Sequence, residues 1–337
     1  MNTAGKNDRW SDGRVLANWG QRRSRLLQKK SERIAFKPIV FKILEPEPLK
    51  LSHGGKLMYT NDGKVAFSST KEGVLMDLVH GKQSIYGMSN EFDKLSGIAL
   101  DVSFDRKFVV TGLGKKVDCW NLKREKVMEI ELKTGLVSKV ALSPCGRYLS
   151  VVDKKTEKGS GHRVSIYNFS TQKPLMSYSS SFDQIKDLAW SRRLDDLRFA
   201  TATVKEVKFW HPADFTKELV QQGKLMKDFE RTEFHCFAFD EEGWGFSGCE
   251  NGQIYVWSDK CEVVKAIMVP NKRIVAIKAQ EGMLIAGSID KKIAVISVQG
   301  FGSFKLERVI SVDGVPSSID LYKGCLLLGT DAGTLLE

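Results

Sequence analysis

Two tryptophans among basic residues near the N-terminus are the side chains of this sequence best suited to bind a partner. Residues 1–35 contain nine Lys or Arg against three acidic residues, so they carry +6 of the chain's net charge of +11. Tryptophan and arginine are enriched at protein-binding hot spots, and aromatic rings also stack on RNA bases. We therefore predict a partner-binding tail. Its candidate contact residues are Trp10, Arg14, Trp19, Arg22, Arg23, Arg25, Lys29, Lys30 and Arg33.

The tail could present its charges on one face of a short helix. Arg22, Arg25, Lys29 and Arg33 follow one another at intervals of three or four residues, which places them on the same side of a helix. Such a face suits an acidic protein groove, a nucleic acid or an acidic membrane surface. A disordered, solubilising tail is the alternative, although such tails seldom carry tryptophan.

The sequence contains no pattern typical of an enzyme. No nucleophile motif frames its Ser, Cys and His residues, and the GLGKK run at 112–116 lacks the spacing of a phosphate loop. We predict that His235 is a satisfied core residue and that His211 lies in a turn. We expect no catalytic residues, no cofactor and no enzymatic activity.

Metal and disulfide chemistry are not predicted either. The acidic patches 195–196 and 240–242 lack the alternating oxygen ligands of a calcium loop, so we expect solvated turns there. The six cysteines are scattered singly, as in a protein with reduced thiols. A signal peptide and a membrane span are also missing from the pattern, and we predict a cytosolic or nuclear protein that does not bind membranes.

A strand with a bulky end recurs seven times and predicts the architecture. Its copies end at Asp77, Trp120, Tyr167, Trp210, Trp257, Ile296 and Glu337, at intervals of 43, 47, 43, 47, 39 and 41 residues. A period in the low forties is that of a four-stranded propeller blade. Each copy follows a hairpin of two apolar strands, such as 139–153 or 234–248.

The prediction is an all-β, seven-bladed WD40-type β-propeller with a basic N-terminal extension. We place the tail at 1–35 and the propeller at 36–337, with the ring closed by a strand near 39–43, because the last blade is one strand short and an orphan apolar strand precedes the first. Closure would remove exposed strand edges. Gly112, Gly248, Gly287 and Gly329 recur before the third strands, where we expect a small residue to let backbones crowd the channel.

Several segments resemble the echinoderm microtubule-associated protein-like (EMAP-like) family. They are LMYTNDGKVAFSSTKEGVLMD (57–77), VVDKKTEKGSGHRVSIYNF (151–169), FAFDEEGWGFSGCENGQIYVW (237–257) and CLLLGTDAGTLLE (325–337). The resemblance spans about residues 55 to 337 and covers the first of the two tandem propellers that family members carry. It implies association with microtubules, in many members within ciliary axonemes.

The resulting hypothesis is a non-enzymatic microtubule-associated scaffold, in the cytoskeleton and the ciliary axoneme, that binds tubulin or axonemal proteins as part of a larger assembly. The basic tail fits an RNA-associated propeller of a ribonucleoprotein equally well. A general adaptor without a polyanionic partner is the third reading, since all three share one fold.

Overall fold

The computed structural model describes residues 43–44, 56–68, 72–88, 98–154, 161–179, 184–212, 220–270, 272–299 and 302–337. The chain divides into two compact units, Met1–Val40 and Phe41–Glu337, and the first lies wholly outside these residues. The described part of the second unit folds into seven antiparallel sheets of four strands each. The predicted seven-bladed all-β propeller is confirmed.

The strands follow one another in the same order in every blade, from the inner strand at the channel to the outer strand. Blade 1 consists of β2 (Leu57–Tyr59), β3 (Val65–Ser68), β4 (Glu72–Met76) and β5 (Gln83–Met88). Blade 2 consists of β6 (Ala99–Val102), β7 (Phe108–Leu113), β8 (Lys116–Asn121) and β9 (Lys126–Glu131). Blade 3 consists of β10 (Leu136–Leu142), β11 (Tyr148–Lys154), β12 (His162–Asn168) and β13 (Pro174–Ser179). Blade 4 consists of β14 (Ile185–Trp190), β15 (Phe199–Thr203), β16 (Val207–Trp210) and β17 (Val220–Gln222). Blade 5 consists of β18 (Phe234–Phe239), β19 (Gly245–Cys249), β20 (Gln253–Trp257) and β21 (Val263–Met268). Blade 6 consists of β22 (Ile274–Gln280), β23 (Met283–Ser288), β24 (Lys292–Val298) and β25 (Phe304–Ser311).

Blade 7 combines the two ends of the described chain. It contains β26 (Pro316–Tyr322), β27 (Cys325–Thr330) and β28 (Leu335–Leu336), and its fourth strand is β1 (Ile43–Leu44). Ile43 pairs with Leu336 and Leu44 with Leu335, both antiparallel. The inner strands β26 and β2 are neighbours, so blade 7 lies next to blade 1 and the ring is continuous. Residues 39–42 of the expected closing strand lie outside the described residues.

The second and third strands of each blade are apolar because neighbouring blades cover both of their faces. Strands β3, β15 and β19 are buried along their whole length. The recurrent third-strand tryptophans have a common partner: the indole N–H groups of Trp120, Trp210 and Trp257 donate to the hydroxyl groups of Thr111, Thr201 and Ser247 on the second strand, at 3.1, 3.0 and 2.9 Å. The bond gives each large side chain one orientation between blades.

Three of the four recurrent glycines, Gly112, Gly248 and Gly287, lie between blades and not at the channel, which corrects the expectation from the sequence. A Cβ on Gly112 of β7 would lie 2.4 Å from Val137 of the next blade, and one on Gly287 of β23 would lie 2.5 Å from Pro316. At Gly248 the nearest atoms belong to Cys236 of the same blade and Ile274 of the next. A small residue is needed because the next inner strand packs directly on this backbone.

Carboxylates on the inner strands join each of three blades to the next one. Asp101 accepts a hydrogen bond from the backbone N–H of Leu142 at 2.8 Å, and Asp187 accepts one from Phe237 at 2.9 Å. Asp320 of blade 7 accepts one from Tyr59 of blade 1, also at 2.9 Å. These bonds satisfy inner-strand donors that no strand ladder reaches, so they fix the ring as well as the individual sheets.

Candidate functional site: the central channel

The inner strands of all seven blades surround a channel with a cavity of about 310 Å³. The blades repeat one strand order, so their inner strands run in the same direction and the channel has two different mouths. One mouth is formed by the turns that follow the inner strands, and we call it the hairpin mouth. The other is formed by the N-terminal ends of the inner strands. Lys56, Lys139 and Lys186 lie there, and we call it the lysine mouth.

Near the hairpin mouth two channel cations share one buried carboxylate. Lys278 Nζ lies 2.7 Å from Asp320 Oδ1, and Arg106 Nη1 lies 2.6 Å from Asp320 Oδ2. Burial raises the pKa of Asp320, but the two cations outweigh it and lower this pKa to about 2. Burial lowers the pKa of Lys278 to about 8 despite the attraction of Asp320. The three groups therefore act as a fixed structural ion cluster.

Turn residues form a chain of contacts around the hairpin mouth. Arg192 Nε of blade 4 lies 3.9 Å from Glu241 of blade 5, whose carboxylate accepts the backbone N–H of Glu281 in blade 6 at 2.9 Å. Glu281 in turn accepts the N–H groups of Lys323 and Gly324 in blade 7, each at 3.0 Å. The turns of blades 4 to 7 are thereby held together in sequence and form one part of the rim of this mouth.

An aromatic ring and an arginine mark the accessible part of this rim. Phe104, in the turn after β6, is 41% exposed, and the guanidinium of Arg192 lies 5.2 Å from the centre of its ring. The two residues belong to blades 2 and 4, so the contact reaches over blade 3. An exposed aromatic ring beside arginine on a rigid surface is typical of a protein-binding hot spot.

The acidic patches lie in turns, and the prediction that they are solvated holds in part: Asp195, Glu241 and Glu242 are exposed, whereas Asp196 and Asp240 are bound by neighbouring groups. Asp196 pairs with Arg198 at 2.8 Å, and Asp240 is buried and accepts the N–H groups of Glu242 and Trp244. Burial raises the pKa of Asp240 to about 6. Short-range spacing predicted the turns correctly, but it could not show that Glu241 accepts the backbone N–H of Glu281 in the next blade, or that Arg198, the partner of Asp196, donates to the carbonyl of Gly243 in the next blade.

His235 and His211 both lie beside neighbouring side chains, as the prediction of satisfied histidines requires. His235 Nε2 lies 2.7 Å from Glu250 Oε2, but the ring lines the channel and is only partly buried, so His235 is not a core residue. His211 lies in a loop after β16, with Nε2 4.0 Å from Cys261 Sγ. Burial raises the pKa of this thiol to about 11, which leaves it protonated and unreactive at neutral pH.

One described cluster has the residue types of a metal site. The ligand atoms of Glu233, His235 and Glu250 lie within 4.8 Å of one another. Arg273 binds both oxygens of Glu250, with Nη2 at 2.8 Å from Oε1 and Nε on Oε2. A carboxylate already bound by a guanidinium fits an ion-pair network better than a metal centre.

The structure brings together charged residues that the sequence pattern did not single out. Lys56, Lys139 and Lys186 are separated by 83 and 47 positions but meet at one mouth. All nine predicted contact residues of the tail, from Trp10 to Arg33, lie outside the described residues. Among the described residues, no helix is long and apolar enough to cross a bilayer.

Comparisons with known proteins support the architecture and a ciliary relationship. The chain is 27% identical over 300 residues to the ciliary WD repeat-containing protein ctxp80 of Euplotoides octocarinatus, a match that covers 83% of this chain and 40% of that protein. The chain therefore spans less than half the length of this relative. No family model matches the chain.

A solved structure supports the fold alone. A chain in the crystal structure of the mitotic checkpoint complex superposes with a TM-score of 0.66 at 15% identity, over 90% of this chain and 95% of that one. The chain described here is thus a WD-type propeller related to a ciliary WD-repeat protein.

Proposed function

We propose that this chain is a non-enzymatic, microtubule-associated WD-repeat scaffold of the ciliary axoneme. The observation that carries the proposal is the match to a ciliary WD repeat-containing protein over 83% of the chain. Membership of the EMAP-like family, indicated by the sequence motifs, is part of the same proposal. The scaffold binds tubulin or a doublet protein and belongs to a larger assembly.

Two surfaces serve this function. The rim of the hairpin mouth offers Phe104, whose ring lies 5.2 Å from the guanidinium of Arg192. Because the turns of blades 4 to 7 contact one another in sequence, a partner would meet a surface that loses little freedom on binding. The basic tail adds charge of the sign that an acidic microtubule surface attracts, and Trp10 and Trp19 add desolvated anchors. The propeller fixes the position and the tail adds affinity.

The hydrogen bonds and the ion pair that join neighbouring blades suit a protein that must keep its shape under mechanical force. Asp101, Asp187 and Asp320 join successive inner strands, and Arg106 ties three blades together at the seam. A propeller built in this way keeps its binding faces in fixed relative positions while an axoneme bends. No chemical step is assigned to it.

Retention in the axoneme tests the proposal. The full chain, tagged at its C-terminus, is expressed in ciliated cells, and isolated cilia are extracted with non-ionic detergent. We expect the protein to stay with the axonemal pellet and to leave it only at raised salt. Recovery in the detergent-soluble fraction together with soluble matrix proteins would refute an axonemal scaffold.

A further inference from the structure

The lysine mouth is lined by more lysines than aspartates. It contains the three lysines Lys56, Lys139 and Lys186 with two aspartates, Asp101 and Asp187. Lys56 Nζ lies 3.5 Å from Asp101. Both aspartates are also engaged by backbone donors, because Asp101 accepts the N–H of Leu142, and Asp187 those of Leu188 and Phe237.

Lys139 and Lys186 differ from Lys56 in their partners. Lys186 Nζ donates to the neutral amide oxygen of Gln184 at 2.8 Å. Within the described part of the chain, no carboxylate oxygen lies within 4 Å of Lys139 Nζ. Burial lowers the pKa of Lys139, and Lys56 and Lys186 lower it further, against the opposing attraction of Asp187. A half-buried ammonium in this setting gains strongly from an added anion.

The opposite mouth does not share this property. There Arg106 and Lys278 both contact the carboxylate of Asp320, and Arg192 lies 3.9 Å from Glu241. Among the described residues that line the channel, cations without a carboxylate contact are therefore found only at the lysine mouth. His235 adjoins the lysines there, but its nitrogen is already bound to Glu250.

We propose that the lysine mouth binds a small, soluble, phosphate-bearing anion through Lys139 and Lys186, with Lys56 at its side. A phosphate group carries about two negative charges near neutral pH and three strong acceptor oxygens, so one group can contact both lysines that lack a carboxylate partner. Lysine binds phosphate as a point charge without demanding planar geometry. The cavity of about 310 Å³ admits a diphosphate but not a folded domain.

This site does not depend on the proposed microtubule association. A phosphate bound at the N-terminal ends of the inner strands would reduce repulsion among the three lysines. The ligand would therefore stabilise the ring, because it binds the folded protein and not the unfolded chain.

The test uses inorganic pyrophosphate as the probe on the full chain, by isothermal titration calorimetry at low ionic strength and by thermal denaturation. Three variants are compared: Lys139→Met, Lys186→Met and, as the matched control, Lys227→Met. Lys227 is exposed and lies away from the channel lining. A charge-retaining Lys139→Arg variant separates loss of charge from loss of packing.

We expect one molecule of pyrophosphate to bind per chain and to raise Tm. Each of Lys139→Met and Lys186→Met should weaken binding by about tenfold, the value of one charge-assisted hydrogen bond. Lys227→Met and Lys139→Arg should bind almost like the wild type. Equal affinities for all variants, or no binding at millimolar pyrophosphate, would overturn the proposal. Tighter binding of a glutamate-rich peptide than of pyrophosphate, through the same lysines, would also overturn it, because the site would then recognise carboxylates.

Discussion

Arg106 of blade 2 and Asp320 of blade 7 form a buried ion pair across blade 1, with Nη1 2.6 Å from Oδ2. The same guanidinium donates to the backbone carbonyls of Tyr59 and Leu321, and it lies 4.3 Å from the centre of the Tyr322 ring. One side chain therefore joins three blades at the place where the first and last blades meet. The backbone of Arg106 has φ = 60°, a left-handed conformation that its turn requires.

Replacing Arg106 should destabilise the ring more than any other single turn substitution in blade 2. Arg106→Met leaves Asp320 with a buried charge short of one partner, which costs about 3–5 kcal/mol. Arg124→Met is the matched control, because Arg124 also has a positive φ, 67°, but is exposed. Urea denaturation measures both free energies of unfolding. A loss below about 1 kcal/mol for Arg106→Met would mean that the pair does not hold the seam.

The same ion cluster predicts how stability depends on pH. The pKa of Asp320 is lowered from 3.8 to about 2 in the folded protein, so its contribution is complete above pH 4 and is lost as the pH falls through 2. Over this window the stability difference between the wild type and Asp320→Asn should shrink by about 2 kcal/mol. Denaturation curves of both proteins between pH 5 and pH 2 measure it, and a difference that stays constant would contradict the assignment.

Truncation tests closure of the ring by the N-terminal strand. Deleting residues 1–45 removes β1, which pairs with Leu335 and Leu336, and exposes the edge of blade 7. We expect a lower Tm, by about 2–4 °C for each kcal/mol lost. Deleting residues 1–30 should leave Tm nearly unchanged. Equal losses for the two truncations would argue against closure by this segment.

Variants of the tail distinguish anchoring by its tryptophans from attraction by its basic charges. Replacing Trp10 and Trp19 together with alanine should weaken association with axonemes more than replacing any two of its arginines, because exposed charge contacts contribute at most about 1 kcal/mol each. Binding curves at two salt concentrations measure the two effects. If the double tryptophan variant binds like the wild type while Arg22, Arg23 and Arg25 prove essential, the tail is only an electrostatic tether.

Much of the fold could be predicted from the sequence because blade strands follow local rules. Apolar runs punctuated by turns marked the hairpins, and recurrent bulky residues marked the third strands, such as Trp120 in β8 and Trp257 in β20. The period then fixed the number of blades. These signals all act within about forty residues, the length of one blade.

The channel could not be predicted in the same way, because its residues come together only when the ring closes. Asp320 lies in an apolar strand and Arg106 in an ordinary polar turn, 214 positions away. Lys139 and Lys186 likewise belong to different hairpins. Aligning the inner strands by their position before each turn would have placed Lys56, Lys139 and Asp187 at one level. That alignment is the signal by which such a site could be found in a related sequence.

Co-sedimentation with microtubules in the presence of competing RNA tests the central claim most directly. The full chain is mixed with taxol-stabilised microtubules at physiological salt, with and without an excess of single-stranded RNA, and the pelleted fraction is measured. Microtubule association predicts saturable pelleting that RNA reduces only slightly and that the Trp10 and Trp19 double alanine variant weakens. A chain that stays in the supernatant with microtubules but is retained on RNA would contradict the microtubule scaffold and favour a ribonucleoprotein propeller.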